Sequence, residues 1–178
     1  MNVPNLLSLL RLAMVPVFAA VFFLPDPSAR AWATGVHTLA SITAIGDGWI
    51  ARHFHQVTRL GRILDPLADK LMTFTVILCI TAAGIIPLWA VVVFFLKEAA
   101  MGVGALSMYH KTEDVIPSNW LGKVSTGVFF VVCALLVLFT GIPSPWATGL
   151  ITLALALTIL AFVSYLLQYL SITGRRKG

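Results

Sequence analysis

The stretch "TAIGDGWIARHFHQVTRLGRILDPLADK", Thr43–Lys70, decides how this chain is interpreted, because it interrupts a sequence dominated by apolar residues. It contains three aspartates, three arginines and three glycines. A charged side chain at the centre of a bilayer costs about 2.5–3.5 kcal/mol on insertion scales. Charged groups placed between long apolar runs therefore indicate a polar site that faces inward, away from lipid.

The rest of the chain predicts an all-α integral membrane protein. Of its 178 residues, 59% are hydrophobic and 11% are charged, whereas soluble domains are about 25% charged. A helix needs about 20 apolar residues to cross a bilayer, and turn residues divide the sequence into six such segments. The predicted spans are 5–24, 31–54, 62–84, 87–109, 120–140 and 146–172. They form one domain, residues 1–178.

The distribution of basic residues predicts the orientation. With the N-terminus inside, the cytoplasmic side carries Arg59, Lys111 and the basic residues at 175–177, and the external turns carry Arg30 alone. This positive-inside bias places both termini and a polar cavity at the cytoplasmic side of a bacterial-type cell membrane. The chain has no basic stripe with interleaved aromatic residues, so a nucleic-acid partner is not expected.

The first residues, "NVPNLLSLLR", predict a short amphipathic interfacial segment that leads into the first span. Pro4 stands where the start of a helix tolerates proline. Arg11 has two interpretations, because a long basic side chain can extend to the lipid interface or bind a phosphate. The sequence alone leaves both open.

Three aspartates in the opening stretch suit a divalent cation. Asp65 and Asp69 are four residues apart and share one helix face, and Asp47 comes from the preceding helix. Carboxylate oxygens are the ligands that Mg²⁺ and Mn²⁺ prefer. The alternative is ion pairing with the basic residues of the same stretch, which are Arg52, Arg59, Arg62 and Lys70. Small residues near the acids leave room for a ligand to approach closely.

Seven residues of this stretch match the motif of a known family at the correct spacing. They are Asp47, Gly48, Ala51, Arg52, Gly61, Asp65 and Asp69. The chain therefore resembles the CDP-alcohol phosphotransferases, whose pattern reads D-x2-D-G-x2-A-R-x8-G-x3-D-x3-D. The family's six-helix membrane fold agrees with the six predicted spans, so the resemblance covers essentially the whole chain.

The eighth motif position is Ala44, where the family has its first aspartate. In the family that aspartate ligates metal with the other three, so Ala44 marks a lost ligand, and we expect weakened metal binding and reduced turnover. Water can fill a vacant coordination position but cannot replace the negative charge. Two explanations compete: a natural member that has lost activity, or an aspartate-to-alanine change made to trap an inactive form. The otherwise intact motif favours the second.

The resemblance implies a reaction and a role for each matched residue. Two divalent ions, Mg²⁺ or Mn²⁺, would hold the pyrophosphate of CDP-diacylglycerol while an alcohol hydroxyl attacks the lipid-bearing phosphorus and CMP leaves. Asp47, Asp65 and Asp69 would be metal ligands, and Asp69 also the general base. The CDP-binding residues implied by the motif are Gly48, Ala51, Arg52 and Gly61.

Four further segments, "NVPNLLSLLR", "LDPLADK", "NWLGKVST" and "LLQYL", resemble the branch of the family that makes phosphatidylglycerol phosphate and the related cardiolipin synthases. The implied acceptor is glycerol 3-phosphate, whose phosphate needs additional cations. The candidates for binding it are Lys97, Lys123, Arg59 and Arg62. The alternatives are an ion pair of Lys97 with Glu98 and an interfacial position for Lys123.

Two other functions remain open at this stage. The first alternative is a different acceptor, that of cardiolipin synthase or of another CDP-alcohol phosphotransferase. Because of Ala44, the chain is alternatively a catalytically inactive membrane protein that binds lipid or nucleotide. Membrane lipids are expected partners in every case, and the family's frequent dimers suggest a homodimer.

Overall fold

The computed structural model describes the backbone of residues 3–53, 61–111, 120–139 and 141–175, and side chains at 5–44, 61, 64–104, 120–139 and 141–168. The regular elements in these ranges are six α-helices. They are α1 (Val3–Phe22), α2 (Ala29–His53), α3 (Gly61–Ala82), α4 (Leu88–Lys111), α5 (Trp120–Leu138) and α6 (Ser144–Arg175). The chain forms two compact units, one of residues 1–85 and 133–142, the other of residues 86–132 and 143–178.

In the first unit, α1 packs against both α2 and α3. Phe18 and Phe22 of α1 are fully buried, and the buried residues Ala29, Ala33 and Ala40 line one side of α2. Residues three and four apart share a helix face, so these alanines present a surface without bulky side chains. Small residues of this kind let helices approach closely in membrane proteins.

The end of α3 is fixed by a glycine turn. Gly84 has a φ of 71°, a left-handed conformation that glycine adopts without a steric penalty. Its N–H donates to the carbonyl of Thr81 at 2.8 Å, and the N–H of Ile85 donates to Ile80 at 2.9 Å. This pair of hydrogen bonds is a Schellman motif, which satisfies carbonyls at the end of a helix. Five residues then separate the end of α3 from the start of α4.

The turn between α1 and α2 is held by Asp26. Its carboxylate accepts hydrogen bonds from the backbone N–H and the hydroxyl of Ser28, both at 2.6 Å. These two donors lower the pKa of Asp26 below its ordinary value, the hydroxyl having the larger effect. Hydrogen bonds to a carboxylate favour its ionised form. The turn is therefore most stable when Asp26 is charged.

Removing the Ser28 hydroxyl should raise the pKa of Asp26. Because the folded pKa is depressed, this carboxylate stabilises the turn above its unfolded pKa, and the contribution is lost as the pH falls through the folded pKa. Carboxyl NMR of protein labelled with ¹³C-aspartate, titrated from pH 6 to pH 2, should give a higher Asp26 pKa in Ser28→Ala than in the parent. An unchanged pKa would show that the hydroxyl has no part in it.

The second unit contains α4, α6 and most of α5. The rings of Phe94 in α4 and Phe129 in α5 stack with centroids 5.2 Å apart, and α4 contacts α6. In α6 the residues that face the interior include Ala147, Ile151, Ala154 and Leu155. Their spacing of three and four residues is that of one face of a helix. The opposite side of α6 exposes large apolar residues such as Leu153 and Leu160.

The helices agree closely with the predicted spans, since every helix end lies within three residues of the predicted one. Three of the helices are long and apolar enough to cross a membrane within the described residues: Asn5–Phe22, Trp120–Leu138 and Ser144–Gln168. The exposure of many large apolar side chains also fits a surface in contact with lipid. The other three helices, α2, α3 and α4, carry most of the charged candidate residues, and Lys123 lies in α5.

The predicted N-terminal interfacial segment is not a separate element. Its residues form the first turns of α1, which continues without a break from Val3 to Phe22. Pro4 does not interrupt this helix because the first turn has no intrahelical partners for its N–H groups. The lead-in segment and the first span are therefore one helix.

Candidate functional site

The motif residues lie at the end of α2 and the beginning of α3. In α2, Ala44, Asp47, Gly48 and Ala51 are spaced by three and four residues, so their positions share one face of the helix. Arg52 follows in the last turn. The side chains of Asp47, Ala51 and Arg52 lie outside the described part of the chain, so their predicted roles in metal and CDP binding stay predictions.

Asp65 is the motif residue whose surroundings are best described. Its carboxylate is half-buried, and its Oδ1 accepts a hydrogen bond from the hydroxyl of Ser8. Ser8 lies in α1 and is 57 residues away in the sequence. The side chain of Asp65 is therefore fixed by a tertiary contact between α1 and α3, and not only by its own helix.

Asp69 follows Asp65 by one turn of α3. Its side chain is exposed, whereas Gly61, one turn before Asp65, is buried. The positions of Gly61, Asp65 and Asp69 lie on one face of α3 because they are four residues apart. Along two turns of this face, the residues thus become more exposed, from the buried Gly61 to the accessible carboxylate of Asp69. An accessible carboxylate can reach a bound substrate, as the role of general base requires.

The buried polar side of α1 is a feature that the motif does not predict. Asn5, Ser8 and Arg11 are spaced by three residues, and all three are buried, with Ser8 1% and Arg11 2% exposed. Leu6 and Leu10, on other sides of the helix, are exposed. An arginine that extended to the lipid interface would lie at the protein surface, so the interfacial interpretation of Arg11 is wrong. Phosphate binding by Arg11 stays a prediction.

The sequence contained a signal for this polar side, namely three polar residues at regular helical spacing in an otherwise apolar segment. Such spacing places the three side chains on one face of a helix. Our prediction took these residues for an interfacial segment and left the role of Arg11 open. In the structure the same face is buried within the first compact unit.

Of the four candidates for binding the acceptor phosphate, the structure describes the side chains of Lys97 and Lys123. Lys97 is half-buried and forms an ion pair with Glu98, and its ammonium nitrogen lies 5.3 Å from the ring centroid of Phe94. This is the pair that the sequence left open as an alternative. Lys123 is exposed near the start of α5. Both lysines belong to the second compact unit.

The two arginine candidates are described less completely. Arg59 lies outside the described residues, and Arg62 lies in α3 with a side chain outside the described part. Their predicted contact with the acceptor phosphate therefore stays a prediction.

The described donors fit a divalent cation in their chemistry. Asp65 and Asp69 supply carboxylate oxygens on one face of α3, and oxygen ligands suit Mg²⁺ and Mn²⁺. Among the side chains that the structure describes, no cluster contains three or more acidic, histidine or cysteine groups. The third predicted ligand, Asp47, is outside that set. Asp65 and Asp69 are thus the two predicted metal ligands whose side chains the structure describes.

Comparison with known proteins identifies the family indicated by the motif, and the match extends over nearly the whole chain. The sequence profile described as CDP-alcohol phosphatidyltransferase matches residues 1–169. A probable phosphatidylglycerophosphate synthase of Mycobacterium tuberculosis is 33% identical over 97% of this chain and 84% of its own length. A cardiolipin synthase (CMP-forming) of Streptomyces coelicolor is 34% identical over 84% of this chain and 70% of its own length.

The alignment with a third relative covers nearly the full length of both sequences. The CDP-diacylglycerol–glycerol-3-phosphate 3-phosphatidyltransferase of Bacillus subtilis is 28% identical over 92% of this chain and 93% of its own length. The similarity therefore extends through all six helices and is not confined to the motif.

Proposed function

Because the chain belongs to the CDP-alcohol phosphatidyltransferase family, we propose that it transfers a phosphatidyl group from CDP-diacylglycerol to glycerol 3-phosphate. The products are CMP and phosphatidylglycerol phosphate, a step of phospholipid biosynthesis. In this chain the reaction is impaired by Ala44. The family match extends through both compact units, which supports a single catalytic domain.

The observation that carries this proposal is the arrangement of carboxylates on α3. Asp65 is half-buried and held by Ser8, and Asp69 is exposed one turn later on the same face. A fixed inner carboxylate is suited to bind a cation, and an accessible outer one is suited to take a proton from a substrate. Two neighbouring carboxylates with different surroundings commonly divide such roles.

The chain's own residues would position the substrates and move one proton. Asp47, Asp65 and Asp69 would hold Mg²⁺ or Mn²⁺, two ions in the family, which supply charge neutralisation at the pyrophosphate when bound. Arg52 would bind the CDP phosphates, and the small residues Gly48, Ala51 and Gly61 would let the nucleotide approach the backbone.

Asp69 would take the proton of the attacking hydroxyl. The oxygen of the acceptor attacks the lipid-bearing phosphorus, and the bond from that phosphorus to the CMP oxygen breaks. Phosphoryl transfer needs positioning and charge neutralisation more than covalent help from the protein. Arg11, buried on the polar side of α1, is an additional cation suited to a phosphate within the first unit.

The identity of the acceptor can be decided by the product. Glycerol 3-phosphate and phosphatidylglycerol would be offered separately to the Ala44→Asp protein with CDP-diacylglycerol and Mn²⁺, and the lipid products identified by mass spectrometry. Phosphatidylglycerol phosphate is expected, and cardiolipin would instead identify the chain as a cardiolipin synthase. No new lipid from either acceptor would overturn the proposed function.

We expect Lys97 and Lys123 to bind the phosphate of the acceptor and to have no part in binding CDP-diacylglycerol. Removing a charge-assisted hydrogen bond to a phosphate costs about 1.5–3 kcal/mol, so Lys123→Ala and Lys97→Ala in the Ala44→Asp protein should each raise the KM for glycerol 3-phosphate about tenfold or more. The KM for CDP-diacylglycerol should stay constant. An equal rise in both KM values would contradict a specific role for these lysines, and Lys123→Arg serves as the charge-preserving control.

The architecture that we propose has six membrane spans with both termini in the cytoplasm. The positive-inside distribution of basic residues supports this orientation, and the site on α2 and α3 then faces a polar cavity at the cytoplasmic side. A homodimer fits the exposed apolar surface of the helices. Labelling of single cysteines placed in the loops at 25–28 and 141–143 would test the orientation.

A second candidate function follows from Ala44. A site that lacks one carboxylate can keep its affinity for lipid or nucleotide while it loses turnover. The chain would then be a membrane protein that binds CDP-diacylglycerol without converting it. Absence of binding to CDP-diacylglycerol would exclude this candidate.

A further inference from the structure

Ser8 is not part of the motif, but its hydroxyl donates a hydrogen bond to Oδ1 of Asp65. We propose that Ser8 is a positioning residue for Asp65: it fixes the orientation of the carboxylate, so that Oδ2 is the oxygen left for a divalent cation. This inference rests on the proposed function, because it takes Asp65 to be a metal ligand. It adds a residue of α1 to a site built by α2 and α3.

The surroundings of the hydrogen bond favour a positioning role. Ser8 is almost completely buried and Asp65 is half-buried, so water competes little for the carboxylate oxygen on that side. A hydrogen bond in such surroundings is electrostatically stronger than one in water. The terminal torsion of an aspartate is broad and poorly restrained by the side chain itself. An external donor is therefore needed to hold it in one orientation.

The partner of the Ser8 hydroxyl differs from that of other hydroxyl groups in this protein. In a helix, serine and threonine commonly donate to a carbonyl three or four residues earlier. Ser41, Ser125 and Thr158 do so, with distances of 3.1, 3.0 and 2.8 Å to carbonyls of their own helices. Ser8 instead donates to a side chain of another helix. Its hydroxyl is thus used for a tertiary contact at the site.

The polar side of α1 explains why Ser8 meets Asp65. Asn5 and Arg11 lie one turn to either side of Ser8 and are buried with it. Burying this face against its neighbours fixes the rotation of α1 about its own axis, because exposing it to lipid would be costly. Groups that hold a metal ligand in place typically contribute about 10- to 100-fold to metal affinity or activity.

The test uses the full chain with Ala44→Asp, compared with and without Ser8→Ala. Mn²⁺ binding would be measured by electron paramagnetic resonance without substrates, so that the readout does not depend on turnover. Ser8→Ala should weaken Mn²⁺ binding about 10-fold or more, and Ser8→Thr, which keeps the hydroxyl, should bind like the parent. Ser125→Ala is the matched control, because it removes an equally buried hydroxyl that bonds within its own helix.

Kinetics separate positioning from a general structural effect. With Ser8→Ala, CMP release should fall at limiting Mn²⁺ and recover at saturating Mn²⁺, whereas damaged folding would lower the rate at every Mn²⁺ concentration. Thermal unfolding of each variant would be followed in parallel. If Ser8→Ala does not fold, Ser8→Cys fills the same space with a weaker donor and should give an intermediate Mn²⁺ affinity.

The outcomes distinguish this inference from the proposed function. If the parent binds Mn²⁺ and releases CMP, and Ser8→Ala binds Mn²⁺ as well as Ser125→Ala does, the role of Ser8 is overturned and the proposed function stands. If the parent neither binds Mn²⁺ nor releases CMP, the proposed function is overturned, and the inference about Ser8 falls with it.

Discussion

The Ala44→Asp variant is expected to release CMP from CDP-diacylglycerol and glycerol 3-phosphate at least about 100-fold faster than the chain with Ala44, the scale of one preorganised electrostatic group. Position 44 precedes Asp47 by three residues and shares its face of α2. A methyl group there has neither charge nor a lone pair. The measurement is CMP release at matched protein, lipid and Mn²⁺ concentrations.

Thr43→Asp is the control for this gain. It adds the same charge to the same turn of α2, but one residue away and therefore on a different side of the helix. Thr43 is half-buried like Ala44, so the two substitutions place a carboxylate in comparable surroundings. Equal activation by Thr43→Asp would attribute the gain to net charge. Equal activity of the unchanged chain and Ala44→Asp would show that three carboxylates are sufficient.

Loss of Asp69 should be the most damaging single change in the Ala44→Asp protein. General acid–base catalysis contributes about 10²- to 10⁴-fold to a rate, so Asp69→Asn should lower CMP release by that factor. The amide has nearly the same shape as the carboxylate but does not take the proton of the attacking hydroxyl. The exposure of Asp69 beside the half-buried Asp65 is the structural reason for assigning it this role.

The Mn²⁺ dependence separates the two roles proposed for Asp69. A residue that acts only as a ligand would be compensated by saturating Mn²⁺, whereas the loss of a proton acceptor persists at every Mn²⁺ concentration. Asp26→Asn is the matched control, because Asp26 is an exposed aspartate in the turn before α2 and has no proposed role in the reaction. Full recovery of Asp69→Asn at high Mn²⁺ would contradict the role of general base.

The helices of this protein were predictable because the signals for them are local. Apolar runs of about 20 residues predict helices that can cross a bilayer, and residues such as Gly84 and Pro87 mark where one helix ends and another begins. The motif likewise predicted which positions of α2 and α3 share a face, since helical spacing alone determines this. Family membership followed from the same spacing and is confirmed by the match over residues 1–169.

The contact between α1 and α3 was not predictable in this way. Ser8 and Asp65 are 57 residues apart, and no periodicity within a helix indicates which residue of another helix it will meet. The burial of Arg11 depends on the same tertiary packing, so a single charged residue near the N-terminus was open to two interpretations. Hydropathy places an arginine relative to the membrane, but its partner depends on how the helices pack.

The separation of Ser8 and Asp65 along the chain also affects how the protein is made. At about 5–20 residues per second, the ribosome needs roughly 3–11 seconds to synthesise the 57 residues that separate them. During most of this interval α1 is complete, while α3, which packs against it, is not. An arginine at the centre of a helix raises the cost of insertion by about 2.5–3.5 kcal/mol. The newly made α1 therefore depends on the apolar residues of its other faces to enter the membrane before α3 arrives.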